Sequence, residues 1–256
     1  MLAEQRRTLI LEITNRKGSV SITELHQRLD VSRETLRRDI TRLAEEGRLT
    51  KIHGGALSSS SLEPAFTERM SQNIEGKRAI GRLAAELIPD GVSVILDSGT
   101  TTLCMADYLM ERRGLTIYTN DLQIAAKLAG LNENRILILG GEVQGTDGAI
   151  FGPDASQMLE NYHAGFAVVG ISAFSPERGL TDYSREAAEL RGQMLNHARV
   201  SILLADHTKF ERQAPVNMTG FEQLDNLVTD LKPGQNTSKA IKKLFRKVHV
   251  AGKNAG

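Results

Sequence analysis

Short apolar segments alternate with helical segments between residues 92 and 252, and this alternation constrains the fold more than any other feature of the chain. The predicted strands are the apolar runs at residues 92–96, 115–119, 135–141, 166–171, 200–205, 226–230 and 247–252. Predicted helices between them include residues 100–110, 121–130, 184–198 and 238–245. Strands that are apolar throughout are buried on both faces, and strands connected through helices pair in parallel. The sequence therefore predicts an α/β domain whose mainly parallel sheet is covered by helices on both sides.

A polar loop follows the first of these strands. It consists of Asp97, Ser98, Gly99, Thr100, Thr101 and Thr102, and it leads directly into a predicted helix. Gly99 lets the backbone approach a ligand, the hydroxyls can donate hydrogen bonds, and a helix N-terminus offers free N–H groups and a partial positive charge. The loop can therefore hold a phosphate, although ordinary helix capping uses the same residue types. It is not a Walker loop, because no Gly-Lys-Ser/Thr follows it.

Polar and small residues also follow the other predicted strands. In a mainly parallel sheet these strand ends meet at one edge, and such sheets bind ligands there. The candidates are Thr119, Asn120, Gly140, Gly141, Gly170, Ser172, Asp206 and Lys209. Lys209 would supply the cation that the loop at 97–102 lacks. The sequence therefore predicts an anion-binding pocket built from several strand ends.

A smaller region with an excess of positive charge precedes this domain. Residues 1–57 hold 11 Lys/Arg and 8 Asp/Glu, a net charge of +3, whereas the remaining 21 Lys/Arg and 23 Asp/Glu give −2. The stretch VSRETLRRDI, at residues 31–40, predicts a helix that Ser32 caps and whose apolar stripe continues to Leu43. The side chains left facing water are Arg33, Thr35, Arg37, Arg38 and Arg42. Arginine forks match phosphate oxygens and the edge of guanine, so duplex DNA is the expected partner. A solvated basic face, with Glu34, Asp39 and Glu45 as local partners, is the alternative.

The elements around this helix predict a winged helix-turn-helix. A first helix over residues 3–15 and a short second helix, opened by the capping-box sequence at 21–24, precede the turn at 30–31. Residues 48–58, with the sequence RLTKIHGGALS, predict a β-hairpin that would form the wing. Lys51 and His53 would then contact phosphate or the minor groove, unless they are merely solvated in a loop. We expect the DNA-binding domain at residues 1–57, a linker at 58–74 and the α/β domain at 75–256.

Composition excludes several classes of protein. The single cysteine, Cys104, rules out an internal disulfide and fits a cytoplasmic protein. No apolar run reaches the roughly 18 residues of a membrane span. The six histidines show no metal-ligand spacing beside a carboxylate or cysteine, so we expect no metal. No compact acid/base pair stands out, so we expect no catalytic residue, and we expect no cofactor. A basic C-terminal helix is expected to carry Lys239, Lys242, Lys243, Arg246 and Lys247.

The sequences VSRETLRRDI and LAEEGRLTKIHGGA resemble the N-terminal signature of the DeoR family of bacterial transcription regulators. The phrases DSGTTT, TND, GGE, FGP and ADHTKF resemble the sensor domain of that family, which is similar to ribose-5-phosphate isomerase and glucosamine-6-phosphate deaminase. The resemblance implies a Rossmann-like sensor domain that binds a phosphorylated sugar or a similar metabolite. It implies that Ser32, Arg33, Thr35, Arg37 and Arg38 read DNA, that the loop at 97–102 holds phosphate or hydroxyls, and that Lys209 pairs with an anionic group. It also makes Asp182, Glu186 and Asp206 candidates for sugar hydroxyls.

The expected function is a cytoplasmic DNA-binding repressor of a carbohydrate or related catabolic operon, which a phosphorylated sugar-like effector releases from its operator. Two alternatives stay open. One is a sugar-phosphate isomerase or deaminase with a DNA-binding domain, since Asp97, Glu186 or Asp206 can serve as a base. The other is an activator with the same two domains. One DNA-binding domain offers too few base contacts for a unique genomic site, so we expect a dimer or tetramer.

Overall fold

The computed structural model describes residues 2–17, 19–52, 54–58, 63–144 and 147–252. The chain divides into two compact units, Met1–Glu63 and Pro64–Gly256, which we call the head and the body. None of the described helices is long and apolar enough to cross a membrane.

The head is a winged helix-turn-helix, as the sequence predicts. Its described elements are α1 (Ala3–Lys17), β1 (Ser19–Ser21), α2 (Ile22–Leu29), α3 (Arg33–Glu45), β2 (Leu49–Ile52) and β3 (Gly55–Ser58). The strands form an antiparallel sheet in the order β1-β3-β2, so the predicted hairpin is present as the wing. Leu25, Leu36, Ile40 and Leu43 are at most 1% exposed and close the core between the helices.

Local hydrogen bonds explain where the head helices begin and end. The Ser21 hydroxyl accepts a hydrogen bond from Glu24 N at 3.1 Å, and the Ser32 hydroxyl accepts one from Thr35 N at 3.2 Å. Between these caps, Asp30 takes the left-handed conformation at φ 50° and ends α2 through a bond from its N–H to the carbonyl of His26. Both predicted caps and the predicted turn at 30–31 are confirmed.

The body is built on a seven-stranded sheet in the order β15-β14-β12-β9-β4-β5-β6, in which every pair is parallel. Its strands are β4 (Ser93–Leu96), β5 (Thr116–Thr119), β6 (Arg135–Ile138), β9 (Ala164–Gly170), β12 (Ala198–Leu204), β14 (Leu224–Thr229) and β15 (Phe245–Val250). The described helices are α4 (Phe66–Ser71), α5 (Ile74–Glu86), α6 (Thr100–Leu109), α7 (Leu122–Leu128), α8 (Pro153–Leu159), α9 (Arg185–Asn196) and α10 (Gln235–Leu244). The predicted α/β class with a parallel sheet is confirmed.

Both faces of the sheet are buried, which explains why the strands are apolar throughout. Val94 packs into the core that α5, α6 and α7 cover, whereas its neighbour Ile95 packs into the core that α8, α9 and α10 cover. Two small antiparallel sheets were not predicted. One pairs β7 (Val143–Gln144) with β8 (Ala149–Ile150), and the other joins β10 (Ala173–Ser175), β11 (Gly179–Asp182) and β13 (Val216–Asn217).

Two predicted boundaries differ from the structure. The predicted linker at 58–74 contains α4, which belongs to the body because the half-buried Phe66 and Met70 pack against the core under α5 and α6. The predicted basic C-terminal helix ends early, since α10 stops at Leu244 and Arg246 and Lys247 lie in β15. Strand pairing with β14 overrides the helical pattern there.

Candidate functional site

The strands β4, β9 and β12 end side by side, and we call this side of the sheet the carboxyl edge. In this sheet β4, β5 and β6 follow one another toward one edge, and β9, β12, β14 and β15 follow one another toward the other edge. The strand order therefore reverses between β4 and β9, and open α/β sheets bind ligands at such a switch point. The loop at 97–102 and the end of β9 therefore flank the position at which a ligand is expected.

A buried arginine joins two carboxylates at this edge. Arg191 of α9 donates from Nε to Asp97 Oδ2 at 2.7 Å and from Nη1 to Asp182 Oδ2. Asp97 Oδ2 also accepts a hydrogen bond from Gly170 N at 3.1 Å, and Asp182 Oδ1 accepts one from the Ser172 hydroxyl at 3.0 Å. The network brings together four predicted ligand residues from the ends of three strands and from the loop after β9.

The carboxylates of this network outnumber its cations. Two carboxylates share one guanidinium, and all three side chains are at most 8% exposed. Burial raises the pKa of Asp97, although the charge and hydrogen bond of Arg191 act against that rise. Asp97 Oδ1 is buried and accepts no hydrogen bond from the residues that the structure describes. That oxygen is an acceptor available to the hydroxyl of a ligand.

The loop after β5 ties the loop at 97–102 in place. Asn120 accepts a hydrogen bond from Ser98 N at 2.9 Å and donates to the Ser98 hydroxyl at 3.3 Å. Asp121 caps α7, with Oδ1 accepting from the backbone N–H groups of Gln123 and Ile124. Burial raises the pKa of Asp121, and these backbone hydrogen bonds oppose the rise. Thr119, which accepts from Asp121 N through its hydroxyl, is a packed part of this support.

The helix that follows the loop keeps its N-terminus free of a side-chain cap. Gly99 is the N-terminal cap of α6 at φ 146°, a conformation that side chains rarely adopt, and it provides no capping side chain. Thr100, Thr101 and Thr102 form the first turn and are at most 7% exposed. The Thr102 hydroxyl donates to the Gly99 carbonyl at 2.9 Å. The first-turn N–H groups of α6 are therefore the donors that this loop can offer to an anion.

A second polar cluster lies at the ends of β12 and β14. Asp230 Oδ2 accepts a hydrogen bond from Asn73 Nδ2 at 2.8 Å and lies 2.6 Å from His207 Nδ1. Burial by itself would raise the pKa of Asp230, but the hydrogen bonds from Asn73 and His207 bring it below its ordinary value. Asp206 Oδ1 accepts from the backbone and hydroxyl of Thr208 at 3.0 and 2.6 Å. Its other oxygen, Oδ2, is buried and has no partner among the described residues.

Two lysines stand beside this cluster. Lys77 of α5 is 1% exposed and donates to the backbone carbonyl of Arg69. Burial lowers the pKa of Lys77, whereas the negative charge of Asp206 opposes the change. Lys209 ends the 3₁₀ turn His207–Lys209, is half-buried, and its charge also lowers the pKa of Lys77. The carboxyl edge thus combines two cationic side chains with two buried carboxylate oxygens that can accept hydrogen bonds.

The remaining predicted ligand residues are less involved. Glu186 is exposed in the first turn of α9, one turn before the buried Arg191. Gly140 and Gly141 follow β6, and a Cβ atom on Gly141, whose φ is 140°, would lie 3.1 Å from the side chain of Ile150. Gly141 therefore serves the close packing of this loop against Ile150, whereas a Cβ atom on Gly140 would contact no other atom within 4 Å. Among the described residues, no group of three His, Cys, Asp or Glu side chains is arranged to hold a metal ion.

Helix α3 of the head presents its arginines to solvent. Arg33, Arg37, Arg38 and Arg42 are exposed, whereas Thr35 is half-buried and its hydroxyl lies 2.9 Å from that of Ser32. Lys51 of the wing donates to the Thr41 hydroxyl at 3.0 Å and so fixes the wing against the helix. His53 lies outside the described residues. Arg37, Arg38, Arg42 and Lys51 line one open groove along α3 and the wing.

The acidic residues in α3 and at its C-terminal end have different partners. Asp39 is 6% exposed and accepts a hydrogen bond from Arg6 Nε at 2.5 Å, so it pins α1 to α3. Arg42 and Arg48 both pair with Glu46, and the hydrogen bond from Arg42 is the main reason that the pKa of Glu46 is lowered. Asp39 is therefore not a surface partner of the arginines, contrary to the alternative interpretation of the sequence.

Sequence reasoning missed Lys77, Arg191, Asn73 and Asp230. Arg191 lies on the inward face of α9, between Leu190 and Met194. Lys77 lies on the inward face of α5, between Ile74 and Ile80. The helical spacing in the sequence already places these two charged residues on the buried face, which is unusual enough to mark them as candidates. Asp230 directly follows β14, so the rule that selected the other strand ends applies to it as well.

Comparisons with known proteins identify both units. The model of the DeoR-like helix-turn-helix domain matches residues 6–62, and the model of the DeoR C terminal sensor domain matches residues 72–231. The chain is 34% identical to the glycerol-3-phosphate regulon repressor of Escherichia coli strain K12 over 234 residues, which cover 91% of this chain and 93% of that protein. It is 31% identical to the HTH-type transcriptional regulator GolR of Listeria innocua over 254 residues, covering 98% of this chain and 97% of that protein.

Solved structures give a looser match. Ribose 5-phosphate isomerase A from Methanocaldococcus jannaschii covers 54% of this chain and 55% of its own, with 16% identity and a TM-score of 0.40. A likeness of this extent has no bearing on activity.

Proposed function

The chain belongs to the DeoR family of transcription regulators, and from that premise we propose that it represses a catabolic operon until a phosphorylated sugar or polyol binds the carboxyl edge of the body. The observation that carries the proposal is the chemistry of that edge. The uncapped N-terminus of α6, Lys77 and Lys209 favour an anion, and the buried oxygens Asp97 Oδ1 and Asp206 Oδ2 accept hydroxyl protons. A phosphorylated polyol carries both groups.

Linkage explains how such an effector would release DNA. A ligand changes operator affinity only by the difference in its own affinity for the DNA-binding and the released states. Asn120 ties the loop at 97–102 to the end of β5, Gly170 N ties Asp97 to the end of β9, and Arg191 ties Asp97 to the end of β11. A ligand bound at this loop therefore acts on several strand ends at once. We therefore place the effector response in this network and the operator contacts on α3 and the wing.

A regulator is favoured over an enzyme by the environment of the carboxylates. A general base must be ionised and must reach the substrate carbon. Asp97 is held in place by Arg191 and by Gly170 N, and Oδ1 of Asp206 is held by Thr208, so neither carboxylate is free to move toward a substrate carbon. Both carboxylates are arranged to position hydroxyl groups. The relatives at 30% identity or more that cover most of the chain are named as transcriptional regulators. We also propose that the protein acts in the cytoplasm as a homodimer or homotetramer.

The test uses the full-length protein, its preferred duplex selected from a randomised library, and a panel of phosphorylated sugars and polyols that includes glycerol 3-phosphate. Fluorescence anisotropy measures operator affinity as each compound is added. One compound should release the wild-type protein from DNA. If no phosphorylated compound changes operator affinity while unphosphorylated ones do, the proposed anion site is wrong.

Lys209→Ala locates the site. The loss of a charge-assisted hydrogen bond of roughly 1.5–3 kcal/mol should lower effector affinity by about ten- to a hundred-fold. Operator binding without effector should persist, because Lys209 belongs to the body. Lys242→Ala, which removes an exposed lysine from α10, is the matched control and should respond like wild type. Release of Lys209→Ala at the wild-type effector concentration would contradict the site.

A further inference from the structure

One acidic side chain lies at the centre of the DNA-facing surface of α3. Successive residues of a helix are about 100° apart, so Glu34 lies opposite the buried stripe of Leu36, Ile40 and Leu43. Glu34 is in the first turn of α3 and its side chain is 66% exposed. In helix-turn-helix proteins the N-terminal residues of this helix contact base edges in the major groove. Glu34 therefore occupies a base-reading position.

The surroundings of Glu34 are cationic. It lines an open groove along α3 together with Arg37, Arg38, Thr41, Arg42, Glu45 and Lys51. Its separation from Arg37 is 3.8 Å between Oε2 and Nη1, which is longer than a hydrogen bond. The carboxylate thus keeps acceptor positions for a ligand. A negative charge that approaches phosphates weakens DNA binding unless it meets a hydrogen-bond donor.

The donors available in the major groove decide which base Glu34 can read. An ionised carboxylate only accepts hydrogen bonds. Guanine presents two acceptors and thymine presents an acceptor and a methyl group, whereas cytosine presents its N4 amino group and adenine pairs its amino donor with the N7 acceptor. Resting on the proposed operator binding, we propose that Glu34 reads a cytosine in each half-site and selects against guanine and thymine at that position.

The experiment compares base preferences of full-length variants. Wild type, Glu34→Ala and Glu34→Gln are each used to select from a randomised duplex library, and anisotropy then measures affinity for single-base variants of the wild-type consensus. Wild type should favour cytosine at one position per half-site by roughly 5- to 150-fold over guanine or thymine. Glu34→Ala should lose that preference. Glu34→Gln should shift it to adenine, because glutamine contacts N6 and N7 together.

Glu45 provides the matched control. It lies on the same exposed stripe at the opposite end of α3, so Glu45→Gln removes the same charge from the same surface. This variant should bind all duplexes more tightly and keep the wild-type base profile. If both Glu34 variants also keep that profile, Glu34 acts only through its charge and the helix dipole, and the base-reading role is wrong. If wild type itself selects no sequence, the proposed operator binding fails as well.

Discussion

Replacing Arg191 by methionine should destabilise the body strongly. The substitution keeps much of the side-chain volume but leaves Asp97 and Asp182, which are at most 1% exposed, without their shared cation. Breaking a buried ion pair by removing one partner costs about 3–5 kcal/mol, because the remaining charge stays buried. Arg185→Met on the same helix is the control. Arg185 and Glu189 are 81% and 59% exposed, so solvent screens their interaction and the control should keep nearly the stability of wild type.

Cys104 offers an assay that reports on the body alone. It is the only cysteine of the chain and is 2% exposed in α6, so a thiol reagent reaches it only when the body opens. When opening is in rapid equilibrium, the labelling rate follows the opening equilibrium constant. A loss of 3–5 kcal/mol then corresponds to roughly 150- to 5,000-fold faster labelling of Cys104 in Arg191→Met, whereas labelling in Arg185→Met should stay close to the wild-type rate.

A second substitution separates charge from packing. Adding Asp97→Asn to Arg191→Met removes one of the uncompensated carboxylates and should recover part of the lost stability. Labelling of Cys104 in Arg191→Met at the wild-type rate would show that Arg191 does not neutralise a buried charge that the body must accommodate. If Asp97→Asn makes labelling of Cys104 in Arg191→Met still faster, the loss of stability comes from lost packing and hydrogen bonds rather than from buried charge.

Three further predictions concern other parts of the molecule. Arg37→Ala or Arg38→Ala should weaken operator binding by anisotropy while the far-UV circular dichroism spectrum stays unchanged, since both side chains are exposed, and a guanine contact would be worth about 1–3 kcal/mol at one base pair. The pKa of Asp97 is raised in the folded body, so its contribution to stability is fully present below the ordinary pKa of about 3.9 and is lost as pH rises through the folded pKa. Asp97→Asn should therefore make the Cys104 labelling rate, corrected for thiolate content, less dependent on pH across that range. Sedimentation should show at least a dimer, and a monomer both on and off DNA would contradict this. The half-sites of the operator should be separated by whole turns of about 10 base pairs.

Much of the head and the order of the body elements could be predicted from the sequence, because the signals are local. Ser21, Ser32 and Asp30 act on residues three or four positions away, and the stripe of Leu36, Ile40 and Leu43 follows the period of a single helix. The apolar strands predict a parallel sheet since both of its faces must be buried. The loop at 97–102 was found for the same reason, as a polar segment directly after a strand.

Tertiary structure alone decided how those strand ends are held. Asp97 and Arg191 are 94 residues apart in the chain, and Asn73 and Asp230 are 157 residues apart, so no periodicity relates them. The inward position of Lys77 is visible in the sequence. The effect of Asp206 and Lys209 on the pKa of Lys77, however, depends on the packing of α5 against the sheet. Local hydrogen bonds and hydrophobic period thus determine the elements. Buried charged side chains meet their partners only when elements that are distant in the chain pack together.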